Sequence, residues 1–134
     1  MLSILLESLV RITRSGDARR TATPAAVMTT LASPTLGGAP FPLWRVEAEP
    51  GTAGPLHLID ADQVWTLTAG TVEVECGGEA AVLEAGDTVV VPAGAHRRFT
   101  PGPGGFTAVV AGPAGMRASM PASPEEKIDL AWAA

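Results

Sequence analysis

From Phe41 onward, apolar and polar residues alternate with a period of two, in short runs over residues 43–49, 63–68, 71–76, 80–83, 88–91, 96–100 and 106–111, separated by Gly and Pro. Successive strand side chains point to opposite faces, so such runs at close intervals predict an all-β sandwich or barrel. Ala69-Gly70 and Gly77-Gly78 are read as hairpin connections, because glycine accepts positive φ without a Cβ clash. Before Phe41 the period changes. Leu2, Leu5, Leu6, Leu9 and Ile12 recur at helical spacing and predict a short amphipathic helix. Residues 14–40, rich in Thr, Ala, Ser, Pro and Gly, read as loop with one or two short edge strands. At the other end, SPEEKIDLAW over residues 123–132 has Ser123, then Pro124, then Glu126 three residues on from the serine. That is the start of a capping box and predicts a short C-terminal helix. The expected organisation is an N-terminal extension (1–40), a barrel (41–113) and a tail with a short helix (114–134).

A chain of 134 residues has room for one compact domain with its own core. Its net charge of −5 disfavours nucleic acid, whose phosphates need clustered Lys and Arg. The basic run of residues 11–20, with Arg11, Arg14, Arg19 and Arg20, precedes the barrel and reads as a solvated arm. Nowhere do eighteen apolar residues run uninterrupted, so no membrane span is expected. The apolar first residues lack a basic lead and contain Glu7, which points away from a secretory signal and toward the cytoplasm. Cys76, the single cysteine, lies in a predicted strand and reads as a small core residue.

Two stretches carry motif spacing. GTAGPLHLIDADQVWTLTAG, residues 51–70, places Gly51, His57, Gln63 and Gly70 at the spacings of G-x5-H-x-H-x(3,4)-E-x6-G. GDTVVVPAGAHRRF, residues 86–99, places Gly86, Pro92 and Gly94 at those of G-x5-P-x-G-x2-H. The chain resembles a cupin at these positions. It departs from the pattern at three of the four usual metal ligands, where Ile59, Gln63 and Arg97 stand. The resemblance implies a cupin-type jelly-roll β-barrel, here with short N- and C-terminal helical extensions, commonly a homodimer, with a small organic ligand inside.

Strand parity then proposes the interior. If Gln63 points inward like the Glu it replaces, Trp65 and Leu67 do so too; Arg97 carries Phe99 with it, and His57, Ile59 and Trp44 add to the wall. Candidate catalytic groups are His57 as acid or base, Arg97 as holder of a carboxylate, enolate or phenolate, and Gln63 as orienter of a carbonyl or hydroxyl. Asp60 and Asp62 are near enough in sequence to orient the imidazole. Trp44, Trp65, Leu67, Ile59 and Phe99 are candidate substrate-binding residues. Guanidinium has no lone pair, so no metal cofactor is favoured. A divalent Fe, Zn, Mn or Ni ion would require His96 to turn inward beside His57 and Gln63. The favoured function is metal-independent acid–base chemistry of isomerase, cyclase or lyase type on an anionic or enolisable substrate. Alternatives are a metal-dependent cupin, either dioxygenase or lyase, and a ligand-binding cupin without catalysis.

Overall fold

A computed structural model describes residues 9–134. Its strands are β1 (Arg19–Ala22), β2 (Val27–Ala32), β3 (Leu43–Ala48), β4 (Leu58–Ile59), β5 (Gln63–Cys76), β6 (Glu79–Glu84), β7 (Thr88–Val91), β8 (Arg97–Ala111), β9 (Arg117–Met120) and β10 (Ser123–Asp129). Seven form one antiparallel sheet in the order β1-β2-β3-β8-β5-β6, with β7 also paired to β5. A second antiparallel sheet, β10-β9-β4, faces it across a cavity lined from both. This is the jelly-roll barrel the alternating runs predict. The core lies between the sheets, around Trp44, Val46, Val72, Val91, Ala108 and Val110.

Two expected hairpins behave differently. Gly77-Gly78 does close the β5–β6 hairpin, with Cys76 opposite Glu79. Ala69-Gly70 does not turn the chain: β5 runs through it for 14 residues and β8 runs beside it for 15. The pairing of β5 to β8 slips there, from Gly70 opposite Phe106 to Val72 opposite Pro101. Such a bulge resets parity. Leu67 and Val72 are both buried although five residues apart, and Val74 follows Val72 inward. Val72 and Val74 are therefore core, whereas Val64 is exposed.

The expected C-terminal helix is a strand. Residues Ser123–Asp129 pair with β9, placing Ile128 opposite Ala118 and Asp129 opposite Arg117, and only Ala131–Ala133 form a 3-10 turn. A helix of some ten residues is marginal alone, at a length where about 12–15 are needed even in favourable sequences. The ladder offered by β9 satisfies the same backbone groups and decides the outcome. Leu2, Leu5 and Leu6 of the expected N-terminal helix lie outside the described residues; Leu9 and Ile12 are non-helical and exposed. Of the strands before Phe41, β1 is an edge of the large sheet as expected, whereas β2 lies inside it between β1 and β3. No helix among the described residues is long and apolar enough to cross a membrane.

Candidate functional site

The sheet register assembles the cavity in rows. Thr30, Trp44, Val110, Trp65 and Val89 lie opposite one another across β2, β3, β8, β5 and β7, so their side chains share one face. Trp44 and Trp65 are two strands apart, about 10 Å. A second row, on the neighbouring wall, pairs His57 with Arg97 through two backbone hydrogen bonds of 3.0 and 2.9 Å, and Arg97 with Cys76. The cavity enclosed measures about 980 Å³. Trp44, His57, Ile59, Gln63, Trp65 and Phe99 all line it. Leu67 and Arg97 do not, although both side chains are buried.

Trp65 and Phe99 stack, with ring centroids 4.1 Å apart and planes 20° from parallel, and make a flat aromatic wall. Beside it, Gln63 Oε1 accepts hydrogen bonds from Trp65 Nε1 at 3.1 Å and from the Arg97 guanidinium at 3.4 Å. Both partners can only donate, which fixes the amide's orientation and turns its NH2 toward Met116 Sδ at 3.4 Å. Arg97 also donates to Pro92 O at 2.8 Å and Ala95 O at 3.3 Å. Its guanidinium is fully buried, so it ties Gln63 to the turn before β8 and presents nothing to the cavity. The role expected of it, holding a substrate anion directly, is not available in this geometry. Burial lowers its pKa from the ordinary value, with Cys76 and Asp62 acting the other way, and an arginine so perturbed stays charged.

His57 is held by the chain itself. Its Nδ1 lies 2.8 Å from Pro55 O. A carbonyl only accepts, so Nδ1 carries the proton and Nε2 keeps its lone pair. Burial lowers the pKa of this imidazole below its usual 6.5; the Pro55 bond partly opposes that and the charge of Arg97 adds to it. Neither aspartate orients the ring. Asp62 accepts from Ala93 N at 2.7 Å, and Asp60 accepts from Arg117 N at 2.7 Å while pairing with Lys127 at 3.7 Å. Both fasten loops, and the hydrogen bond from Arg117 N is the main reason the Asp60 pKa is depressed.

The donor set does not fit a metal ion. Of the four motif positions, Ile59 has no donor atom, Arg97 has no lone pair, and the Gln63 oxygen already accepts two N–H groups. His57 alone remains. His96 faces a separate cavity of about 290 Å³ with Cys76, Glu75 and Glu79, so His57, Gln63 and His96 do not converge. Among the described residues no three His, Cys, Asp or Glu side chains are grouped to hold an ion. The sequence reading misses the lining contributed by β9, by β10 and by the 3-10 turn after it, including Ser119 on β9 and Trp132 in the turn. Trp132, expected at the end of a C-terminal helix, sits in the 3-10 turn after β10, where its carbonyl accepts from Thr30 Oγ1 at 2.6 Å.

The cupin domain family matches residues 44–110, half of the chain and both motifs. The chain belongs to the cupins. No curated protein matches its sequence. Among solved structures, the cupin resembles a cupin-2 domain protein of Rhodospirillum rubrum with a TM-score of 0.72 at 15% identity, over 81% of this chain and 78% of that one. KdgF from Halomonas sp. gives 0.65 at 20% identity, over 76% and 92%. Salicylate 1,2-dioxygenase of Pseudoaminobacter salicylatoxidans gives 0.66 at 22%, over 77% of this cupin and 31% of that larger chain. Likenesses at such identities establish the fold and leave the chemistry to the site.

Proposed function

We propose that this cupin binds a small organic molecule in its barrel and performs proton-transfer chemistry of isomerase, cyclase or lyase type on an enolisable substrate, with His57 as the base and no metal. One observation carries the reading: the hydrogen bond from His57 Nδ1 to Pro55 O leaves Nε2 unprotonated on a neutral imidazole that lines an apolar cavity. In the step proposed, Nε2 takes a proton from the carbon next to a carbonyl. The C–H electron pair becomes the enolate double bond, and the carbonyl pair moves to oxygen. The imidazolium then returns its proton at another carbon, as in an isomerase, or to a departing β-group, as in a lyase. Gln63, held between Trp65 and Arg97, sets the aromatic wall against which the substrate lies.

The test is exchange of solvent deuterium into enolisable ketones, followed by proton NMR for the wild type and His57→Gln. Exchange is expected to fall by about 10²–10⁴-fold in the variant. Equal exchange in both proteins sinks the base assignment, and ligand binding with no exchange in either identifies a non-catalytic binder. The pH profile is a second readout of the same experiment. Because the folded-state pKa of His57 lies below 6.5, the base stays free as pH falls through 6.5, and exchange drops only at lower pH. Stability follows the same sign. Between the folded value and 6.5 the unfolded chain binds more protons, so His57 makes folding less favourable as pH falls across that window.

We also infer a homodimer. Val64 and Val90 sit opposite each other on the outer face of the large sheet, both exposed, with exposed Val82 on β6. Size-exclusion chromatography with light scattering should give about twice the 13.7 kDa chain mass; a monomer at tens of micromolar overturns this.

A further inference from the structure

The cavity has walls of two kinds. On the side of the large sheet it is lined by Met28, Trp44, Val46, Trp65, Phe99 and Phe106, none of which carries a charge. Its charged lining lies on β10, at Glu126, Lys127 and Asp129, and all three are exposed. Glu126 and Lys127 fall where the pairing of β10 to β9 is interrupted, between Ser123 and Ile128. The charges therefore form a wet rim, where water and salt screen them.

An ionic ligand would find no counter-ion on the inner wall. Arg97 is buried, committed to Pro92, Ala95 and Gln63, and does not line the space. Lys127 is paired with Asp60 at 3.7 Å and has Glu126 and Asp129 beside it on the rim. His57 could meet a carboxylate only as imidazolium, a form that burial and, less strongly, the charge of Arg97 oppose. A cation fares no better, because Asp60 and Asp62, the acids nearest His57 in sequence, fasten loops and do not line the cavity. A charge taken out of water needs a paired, hydrogen-bonded partner to offset the hydration it loses. An uncharged ring system loses little hydration, and it gains from burying its own surface against the flat wall of Trp65 and Phe99.

We propose that the barrel selects uncharged, ring-bearing apolar ligands and excludes anions and cations of the same shape by offering them no counter-ion. This rests on the cavity being the ligand site, and it narrows the enolisable substrate to an uncharged carbonyl compound with a flat apolar ring system.

The test uses three probes of similar shape: 2-acetylnaphthalene (a neutral ketone), 2-naphthoate (an anion) and 2-naphthylmethylammonium (a cation). Calorimetry near neutral pH measures the binding of each to the wild type. The ketone is expected to bind about tenfold or more tightly than either ion, because only the ions must give up hydration without a partner. The cause is checked by Met28→Arg, which places a permanent cation on the inner wall opposite Val46. Naphthoate binding should strengthen by about tenfold in that variant, through paired hydrogen bonds from guanidinium to carboxylate, and ammonium binding should weaken. Either ion binding the wild type as tightly as the ketone, or no binding of any probe, overturns the proposal. Those outcomes need only the wild type and hold even where the variant fails to fold. Unchanged naphthoate affinity in a folded variant overturns it as well. The catalytic reading is separable. A preference for the ketone without deuterium exchange at its methyl group keeps this inference and removes the base; exchange with no preference over the ions does the reverse.

Discussion

Replacing Arg97 with methionine is expected to lower stability by about 2–4 kcal/mol, because three acceptors, one of them in a buried bond, lose this donor, at about 1–3 kcal/mol for each left unpaired. Those acceptors are Pro92 O, at 2.8 Å, Ala95 O, at 3.3 Å, and the Gln63 oxygen, at 3.4 Å, which keeps the Trp65 N–H as its other donor. Removing a buried charge returns part of its desolvation cost, so the net loss stays below the sum of the parts. Against a total of about 5–15 kcal/mol for a domain, a change of this size is plain in thermal unfolding. A second readout separates positioning from packing: with Arg97 gone, Gln63 loses one of two donors, and the Trp65 indole N–H resonance should shift in the NMR spectrum of the folded variant. Unchanged stability and an unmoved Trp65 signal, with lost affinity for anionic ligands, would instead restore Arg97 as an anion holder facing the cavity.

The second large effect is expected at Gly70. Its φ is +74°, and an added Cβ would overlap the Gly105 carbonyl oxygen and come within 2.9 Å of Phe106 Cα. These are backbone atoms, which cannot swing aside. Gly70→Ala should cost about 3 kcal/mol or more, combining left-handed backbone strain of about 1–2 kcal/mol with overpacking of about 1–3. Gly77→Ala is the control, with φ +60° and no heavy atom within 4 Å of the added Cβ. It should cost only the backbone part. Chemical denaturation of the two variants measures both, and equal losses would mean that the close approach of β5 and β8 contributes nothing.

Gly70 also shows how local signals mislead. As part of Ala69-Gly70 between two alternating runs it reads as a hairpin turn, and positive φ is indeed what it adopts. The turn and the bulge need the same residue, and only the partner strand tells them apart. With β8 alongside, the chain continues, the register slips, and Val72 and Val74 turn inward. Ser123-Pro124-Glu125-Glu126 fails for a related reason. Its capping signal is real but short, and β9 supplies backbone partners that a sequence window cannot see.

The site was legible to different depths. His57, Ile59, Gln63, Trp65 and Phe99 reach the cavity as parity and motif spacing require, and so does Trp44. Arg97 has the inward parity expected of it, yet parity gives only the direction in which a side chain leaves the backbone. A long guanidinium ends where acceptors are, and here they are Pro92, Ala95 and Gln63, behind the wall. The aspartates near His57 looked suited to orient it, while the carbonyl of Pro55, two residues before it, holds the ring.

By itself the sequence determined that this chain folds as an all-β cupin barrel with an apolar interior, because period-two alternation and glycine and proline spacing act locally and repeat along the chain. The absence of a cupin ligand set was equally settled by residue type, since neither Ile59 nor Arg97 has a lone pair to give. Only the tertiary structure decided which polar groups line the cavity. Hydrogen bonds to Gln63, 34 residues away, and to the carbonyls of Pro92 and Ala95 consumed Arg97 within the wall, and the pairing of β10 with β9 carried the tail that follows, with Trp132, to the cavity. Those outcomes depend on competition among acceptors and on long-range strand pairing, which no stretch of chain carries alone.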